Sequence, residues 1–419
     1  MRRAHVVGAG LAGLSAAIAL VRAGYEVRLS EAAAHAGGRC RSYHDPRLGL
    51  TIDNGNHLVL SGNRAVADYL QTIGAGAHLA GPDEARFDFA DLRDGRRWTI
   101  HLNNGPLPWW IGAAARRAPA TSLCDHLAIA RLLRARRDAR VEDVIPTSGE
   151  LWRRMIEPLL VSALNTSAAG ASASLAGAVL RETLVRGGRA SRPLVATSTL
   201  SAAFVEPAVS WVRRHGARVE FGRRLKRVAF AAGAVSGLGF SDREESVAAD
   251  EPVVLAVPAW TARELVPGLT VPDRQSVIVN AHFALPRRPG DARILGVVGG
   301  LSHWIFAFPD RYSVTISAAD ALGERDREEL ARLIWREVSV LHGLSSELPP
   351  WQIVREQRAT FAATPQQDAL RPPARTAWRN LALAGDWVQT GLPATIESAI
   401  RSGRTAAGCF AAGRSRIAA

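Results

Sequence analysis

Residues 1–40 read MRRAHVVGAGLAGLSAAIALVRAGYEVRLSEAAAHAGGRC. Ala4–Val7 is a short apolar run that leads straight into Gly8-Ala9-Gly10-Leu11-Ala12-Gly13-Leu14, after which Ala, Leu and Ile recur at helical spacing up to Arg22. Gly24 stops that helix, Tyr25–Ser30 forms a second strand, and Glu31 stands at its end. Strand, glycine turn, helix, strand and carboxylate, in that order, make the dinucleotide-binding βαβ pattern. Gly8 permits the tight turn, Gly10 lets a pyrophosphate approach the backbone, and Gly13 lets the helix pack closely on the strand. The helix start at Leu11 and Ala12 offers amides and a positive dipole end, and Glu31 is placed to take ribose hydroxyls.

A second glycine turn, Ala36-Gly37-Gly38-Arg39-Cys40-Arg41-Ser42, follows. Gly38 and Arg39 put open backbone and a cation where the pyrophosphate of FAD would pass, a feature that a simple NAD dehydrogenase does not need. Leu50–Leu60 then reads as a strand interrupted by Asp53-Asn54-Gly55-Asn56-His57, and so many polar groups inside an apolar strand mark a site, with Asn54 and Gly55 at the cofactor. Near the other end, Asn380–Ala384 is a buried strand running into Gly385-Asp386, and Pro393–Ala412 reads as a helix. Asp386 can accept from ribityl hydroxyls. The amides of Thr395 and Ile396 face the pyrimidine end of the isoalloxazine, where reduced flavin gathers negative charge.

The two chain ends therefore share one domain, and the fold class is α/β: a Rossmann-like FAD-binding domain interleaved with a mixed-sheet plus helical substrate domain. Segments 1–80, 197–260 and 375–419 are assigned to the first, and 81–196 and 261–374 to the second. In the second, Arg86–Leu102 reads as two strands joined through Asp94-Gly95, and Val277–Leu285, Ile294–Gly299, Trp304–Phe308 and Ser313–Ala318 as further strands ahead of a helix at Arg325–Leu341. Asn63–Ile73 reads as a helix capped by Asn63 and stopped by Gly74, and Pro106–Arg140 as inserted Trp- and Arg-rich helix.

Composition bounds the rest. The chain has 419 residues, 47% hydrophobic, with three widely spaced cysteines, which suggest neither a disulfide framework nor a metal site and fit a reducing compartment. The apolar N-terminal run carries the glycine pattern, so it reads as mature fold and not as a signal peptide, and no later run reaches membrane-spanning length. The net charge is +13, and Lys226 is the single lysine. Arg116, Arg117, Arg131, Arg134, Arg136, Arg137 and Arg140 crowd one stretch, which implies an anionic partner. No nucleic-acid-binding motif accompanies them, so nucleic acid is the weaker choice and anionic lipid the stronger. Trp109, Trp110 and Ile111, with Leu123, Leu127, Leu132 and Leu133, complete the composition of an interfacial anchor, whose plain alternative is a surface helix with solvated arginines.

Gly8–Leu14, Glu31, Gly37-Gly38-Arg39, Asp53–His57, Gly385-Asp386 and Pro393-Ala394-Thr395-Ile396-Glu397-Ser398-Ala399 together resemble the flavin amine oxidase and carotenoid desaturase superfamily. Within it, Gly37–Ser42, Thr51–Gly62 and Val314–Asp320 resemble the hydroxysqualene dehydroxylase family of squalene and hopanoid biosynthesis, over nearly the full length. The resemblance implies FAD, Leu225 beside the adenine, an isoprenoid lipid substrate and contact with other squalene-pathway enzymes. No cysteine, histidine or tyrosine stands in a flavin-attachment context, so the FAD is expected to be noncovalent, and the arginine- and tryptophan-rich stretch with an insoluble substrate predicts a cytoplasmic protein peripheral on the inner face of the membrane. The resemblance also implies a reductive step in which an allylic hydroxyl is protonated, leaves as water and is replaced by hydride. His57 and Glu397 are the candidate acids from sequence context, with His303 and Asp53 next. A carotenoid-type desaturase differs mainly in the direction of hydride flow, and an amine oxidase is disfavoured by the single lysine and by the position of the tyrosines. A flavin-binding protein without catalysis is the third alternative.

Overall fold

The computed structural model describes residues 2–411. Residues 412–419, the end of the expected final segment, lie outside them. Five parallel strands form the nucleotide sheet in the order Arg218–Glu220, Glu26–Ser30, Arg3–Val7, Val253–Leu255, Leu381–Leu383. Three remote parts of the chain thus supply one sheet. Val253, Val254 and Leu255 are fully buried, as a parallel strand covered on both faces requires.

On one face lie the helices Leu11–Arg22 and Ile396–Ala411. A side chain at Gly403 would stand 2.1 Å from the Ala12 carbonyl oxygen, so the two backbones meet where only glycine fits. The Ser15 hydroxyl donates to the Ile400 carbonyl at 2.8 Å across the same contact. On the other face packs an antiparallel meander, Leu225–Ala231, Ala234–Phe240 and Glu244–Ser246.

The second sheet has seven strands, ordered Trp351–Phe361, Gln275–Phe283, Tyr312–Ile316, Trp304–Ala307, Ile294–Val298, Arg86–Asp91, Arg97–His101. Alternation divides its faces. Val277, Val279, Ala281 and Phe283 pack with Leu330, Ile334, Trp335 and Val338 of the helix Arg327–His342. The opposite face carries Asn280, Thr315 and Glu356 toward the nucleotide domain, then Trp304, Phe306 and Phe308, which cluster with Leu58, Ile294 and Val195.

Three expectations are corrected. The strand Trp351–Phe361 was not anticipated, because Arg355, Glu356, Gln357 and Arg358 break any apolar period and pairing with Gln275–Phe283 imposes the strand. Pro106–Arg140 is not one helix but short turns at Trp109–Gly112, Ala114–Arg116 and Ala130–Arg134 around one seven-residue helix, Leu123–Ile129. Pro106, Pro108 and Pro119 prevent longer runs. Asn63 does not cap the helix Arg64–Ile73: its side chain accepts from the Leu60 amide at 2.7 Å, and the cap comes from elsewhere.

Candidate active site

The first glycine turn is shaped by contacts that exclude side chains. Gly8 has φ +102°, and a Cβ there would lie 2.4 Å from the Ala256 oxygen, while one on Gly13 would lie 1.8 Å from the Gly8 oxygen. Gly10 is different, because nothing lies within 4 Å of its would-be Cβ. The space above it is open, at the head of a helix with no acidic residue in its first turn and no side-chain cap. An anion fits such a place. The Glu31 carboxylate sits against this turn, accepting from the Ala9 amide at 2.7 Å and the Ala33 amide at 2.8 Å. The second glycine turn joins the first through the Gly37 amide and the Ala9 carbonyl, at 2.9 Å, and a Cβ on Gly38 would stand 3.4 Å from the Gly10 Cα. Gly8, Gly10, Leu11, Ala12, Gly13, Glu31 and Gly38 therefore line one cradle.

Arg39 leaves that cradle to meet the C-terminal motif, donating to Asp386 at 2.6 Å and to the Ala359 carbonyl. Burial opposes its charge, but Asp386 and Glu356 outweigh this and hold its pKa above the ordinary arginine value. Gly385 has φ +154°, with the Trp387 ring 2.3 Å from its would-be Cβ. The loop behind Asp386 is held by buried Arg371, which donates to the Asp386 carbonyl at 3.2 Å and the Val388 carbonyl at 2.6 Å. Thr395 caps the last helix, its hydroxyl accepting from the Ser398 amide at 3.1 Å, and Ile396 is buried in the first turn. Leu225 opens the meander, buried, opposite Phe240.

The Asp53–His57 stretch forms the boundary with the substrate sheet. The Asn54 side chain donates to Glu356 at 3.0 Å, the Asn280 side chain donates to the Asn54 carbonyl at 3.4 Å, and the Asn56 side chain donates to Thr315 at 3.0 Å. Thr315 donates in turn to Asn280 at 2.8 Å. A Cβ on Gly55 would press on the Asn280 amide at 3.1 Å. Asp53 is committed elsewhere, accepting from the Ser42 hydroxyl at 2.6 Å and the Leu200 amide at 2.9 Å.

The two candidate acids fare differently. Glu397 does not face the cradle: one carboxylate oxygen accepts from the Ala65 amide at 3.1 Å, the other from the Val66 amide at 3.0 Å, and Arg401 pairs with it at 2.8 Å. It is the missing cap of the Arg64–Ile73 helix. Helical proximity to Thr395 suggested a site residue, but a neighbour on a helix points to another side of it. His57 does lie by Arg39 and Asp386, where burial, and then the Arg39 charge, push its pKa down to about 4 against the pull of Asp386. It is a neutral imidazole near pH 7. His303, pushed to about 4 by burial, accepts from the Ser317 amide at 3.1 Å. Sequence reasoning missed Asn280, Thr315, Arg371 and Glu356. Only the polar Asn280 within an apolar strand offered a signal.

An open helix start between two glycine turns, with Glu31 against the first turn and Asp386 joined to the second through Arg39, is the arrangement of a dinucleotide-binding fold. The chain belongs to the family of flavin containing amine oxidoreductases, which matches residues 11–409. It is 52% identical over 98% of its length to the hydroxysqualene dehydroxylase of Rhodopseudomonas palustris, covering 99% of that protein. It is 48% identical over 96% of its length to the hydroxysqualene dehydroxylase of Zymomonas mobilis, covering 97% of it. In fold it is similar to cyclohexylamine oxidase from Brevibacterium oxydans, with a TM-score of 0.73, 15% identity, and coverage of 99% and 100% of the two chains.

Proposed function

We propose that this protein is an FAD-dependent oxidoreductase that replaces the hydroxyl of hydroxysqualene with hydrogen, giving squalene and water. The observation that carries the reading is 48% and 52% identity over nearly the full length with two proteins of that name, combined with an intact cradle. Gly10, Glu31, Arg39, Asp386 and the amides at Thr395 and Ile396 would hold FAD, and bound reduced FAD supplies hydride. The cofactor is held without a covalent bond. Cys40 is a buried thiol whose pKa burial pushes up to about 12, Cys124 is on the exposed insert, and Cys409 is late in the last helix. On the sheet face toward the nucleotide domain, Trp304, Phe306 and Phe308 form an apolar cluster with Leu58, Ile294 and Val195 that would keep water from an isoprenoid chain. An amine oxidase reading gains nothing from Lys226, which is exposed on the meander. The test is anaerobic turnover of hydroxysqualene by the reduced protein, following squalene and flavin oxidation together.

The protein also docks on anionic membrane through the Pro106–Arg140 insert. Leu107 is 78% exposed, Trp109 59%, Leu123 47% and Leu127 59%, beside exposed Arg131, Arg134 and Arg137. Among the described residues these three arginines have no carboxylate partner. No helix among the described residues is long and apolar enough to cross a membrane. Trp110, expected at the tip, is instead core, 3% exposed with the His126 ring edge-on at 5.6 Å. A thirty-carbon lipid avoids crossing water if the protein sits on the bilayer, and each arginine near the headgroups contributes about 1 kcal/mol. Leu107→Ser/Trp109→Ala should weaken binding to anionic vesicles by about tenfold, with flavin content unchanged. Equal binding to neutral vesicles, or no effect of the pair, would contradict this docking.

A further inference from the structure

Removing a hydroxyl as water needs a proton donor, and the carboxylates that the sequence points to are all engaged. Glu31 holds two amides, Asp386 holds Arg39, Asp53 holds Ser42 and the Leu200 amide, and Glu397 caps a helix. Glu356 lies outside that set, and unlike Asp386 it pairs with no cation among the described residues. It stands on the edge strand Trp351–Phe361, opposite Ile278 in register and therefore on the same sheet face as Asn280 two residues along. One of its oxygens accepts from the Asn54 side chain at 3.0 Å, and among the described residues the other makes no hydrogen bond or ion pair. Three residues on, the Ala359 carbonyl receives Arg39, so the strand approaches the second glycine turn here. Asn54 belongs to the stretch expected against the flavin, and behind it Asn280, Thr315 and Asn56 fix the position of the loop.

We propose that Glu356 is the proton donor to the leaving hydroxyl. This rests on the dehydroxylation reading above. The carboxyl O–H bond breaks as a new O–H bond forms on the substrate oxygen, the allylic C–O bond breaks, and water departs. The two electrons that complete the product would be supplied as hydride by reduced FAD held at the cradle, and solvent would return the proton to the half-buried carboxylate. The charged group that acts on Glu356 is Arg39, itself paired with Asp386. Asn280 and Thr315 on the neighbouring strands carry no charge.

The test is single-turnover oxidation of the photoreduced, FAD-loaded protein by hydroxysqualene across pH, comparing wild type with Glu356→Gln and Glu356→Asp. Glutamine still accepts from Asn54 and lacks only the acidic proton. It should lower the limiting rate by roughly a hundredfold or more, leave half-saturation and flavin content unchanged, and remove the fall in rate with rising pH that a general acid imposes on the wild type. Aspartate should restore part of the rate and the pH dependence. A wild type that forms squalene while Glu356→Gln keeps a rate within about threefold and the same pH profile overturns the donor role alone. A wild type that forms no squalene overturns the dehydroxylation reading and the donor role with it.

Discussion

Gly10→Val should give a folded protein that purifies without flavin. The backbone at Gly10 has φ −71° and ψ 177°, a conformation any residue adopts, and no protein atom lies within 4 Å of the added Cβ. The substitution therefore costs the polypeptide little. What it fills is the space at the head of the Leu11–Arg22 helix, where a pyrophosphate would receive the first-turn amides. We expect the flavin-to-protein absorbance ratio to fall to about a tenth or less of the wild-type value, with an unchanged far-ultraviolet spectrum. Gly13→Val makes a useful contrast, since its side chain would collide with the Gly8 oxygen at 1.8 Å and should lower stability itself. Full flavin content in Gly10→Val would mean that the open space is not the cofactor's.

Glu397→Ala should destabilise the fold without impairing chemistry in the molecules that stay folded. It strips the cap from the Ala65 and Val66 amides and leaves Arg401 without its 2.8 Å partner. Losing a cap costs about 1–2 kcal/mol, and breaking a largely buried pair adds to it, so a loss of about 2–4 kcal/mol is expected in urea unfolding. Squalene formed per bound flavin should stay within about threefold of wild type. A hundredfold loss per flavin with normal stability would return Glu397 to the reaction.

The contrast between Gly10 and Glu397 shows what the sequence carries. The cradle is legible because its geometry is local: three glycines, one carboxylate and one helix start lie within the first thirty-one residues, Gly8 and Gly13 being demanded by close backbone contacts and Gly10 leaving open space at the helix start. Gly385-Asp386 is legible for the same reason, as a strand end before a helix. Glu397 was misjudged because its partners stand more than 300 residues earlier in the chain. Glu356 escaped notice because its strand has no apolar period and forms only by pairing with Gln275–Phe283. The Trp109-Trp110 pair looked like one feature, yet a 3-10 turn sends one ring to solvent and the other to the core. Where function depends on residues brought together by sheet pairing, the sequence supplies the parts but not their adjacency.

The central claim is the direction of the chemistry, and one measurement addresses it. Photoreduced protein is mixed anaerobically with hydroxysqualene, the flavin spectrum is followed, and the extracted lipid is analysed. Flavin oxidation with an equal amount of squalene is the predicted result. Flavin that stays reduced with hydroxysqualene, while the oxidised protein bleaches with a long polyene precursor, would show a desaturase and contradict the account.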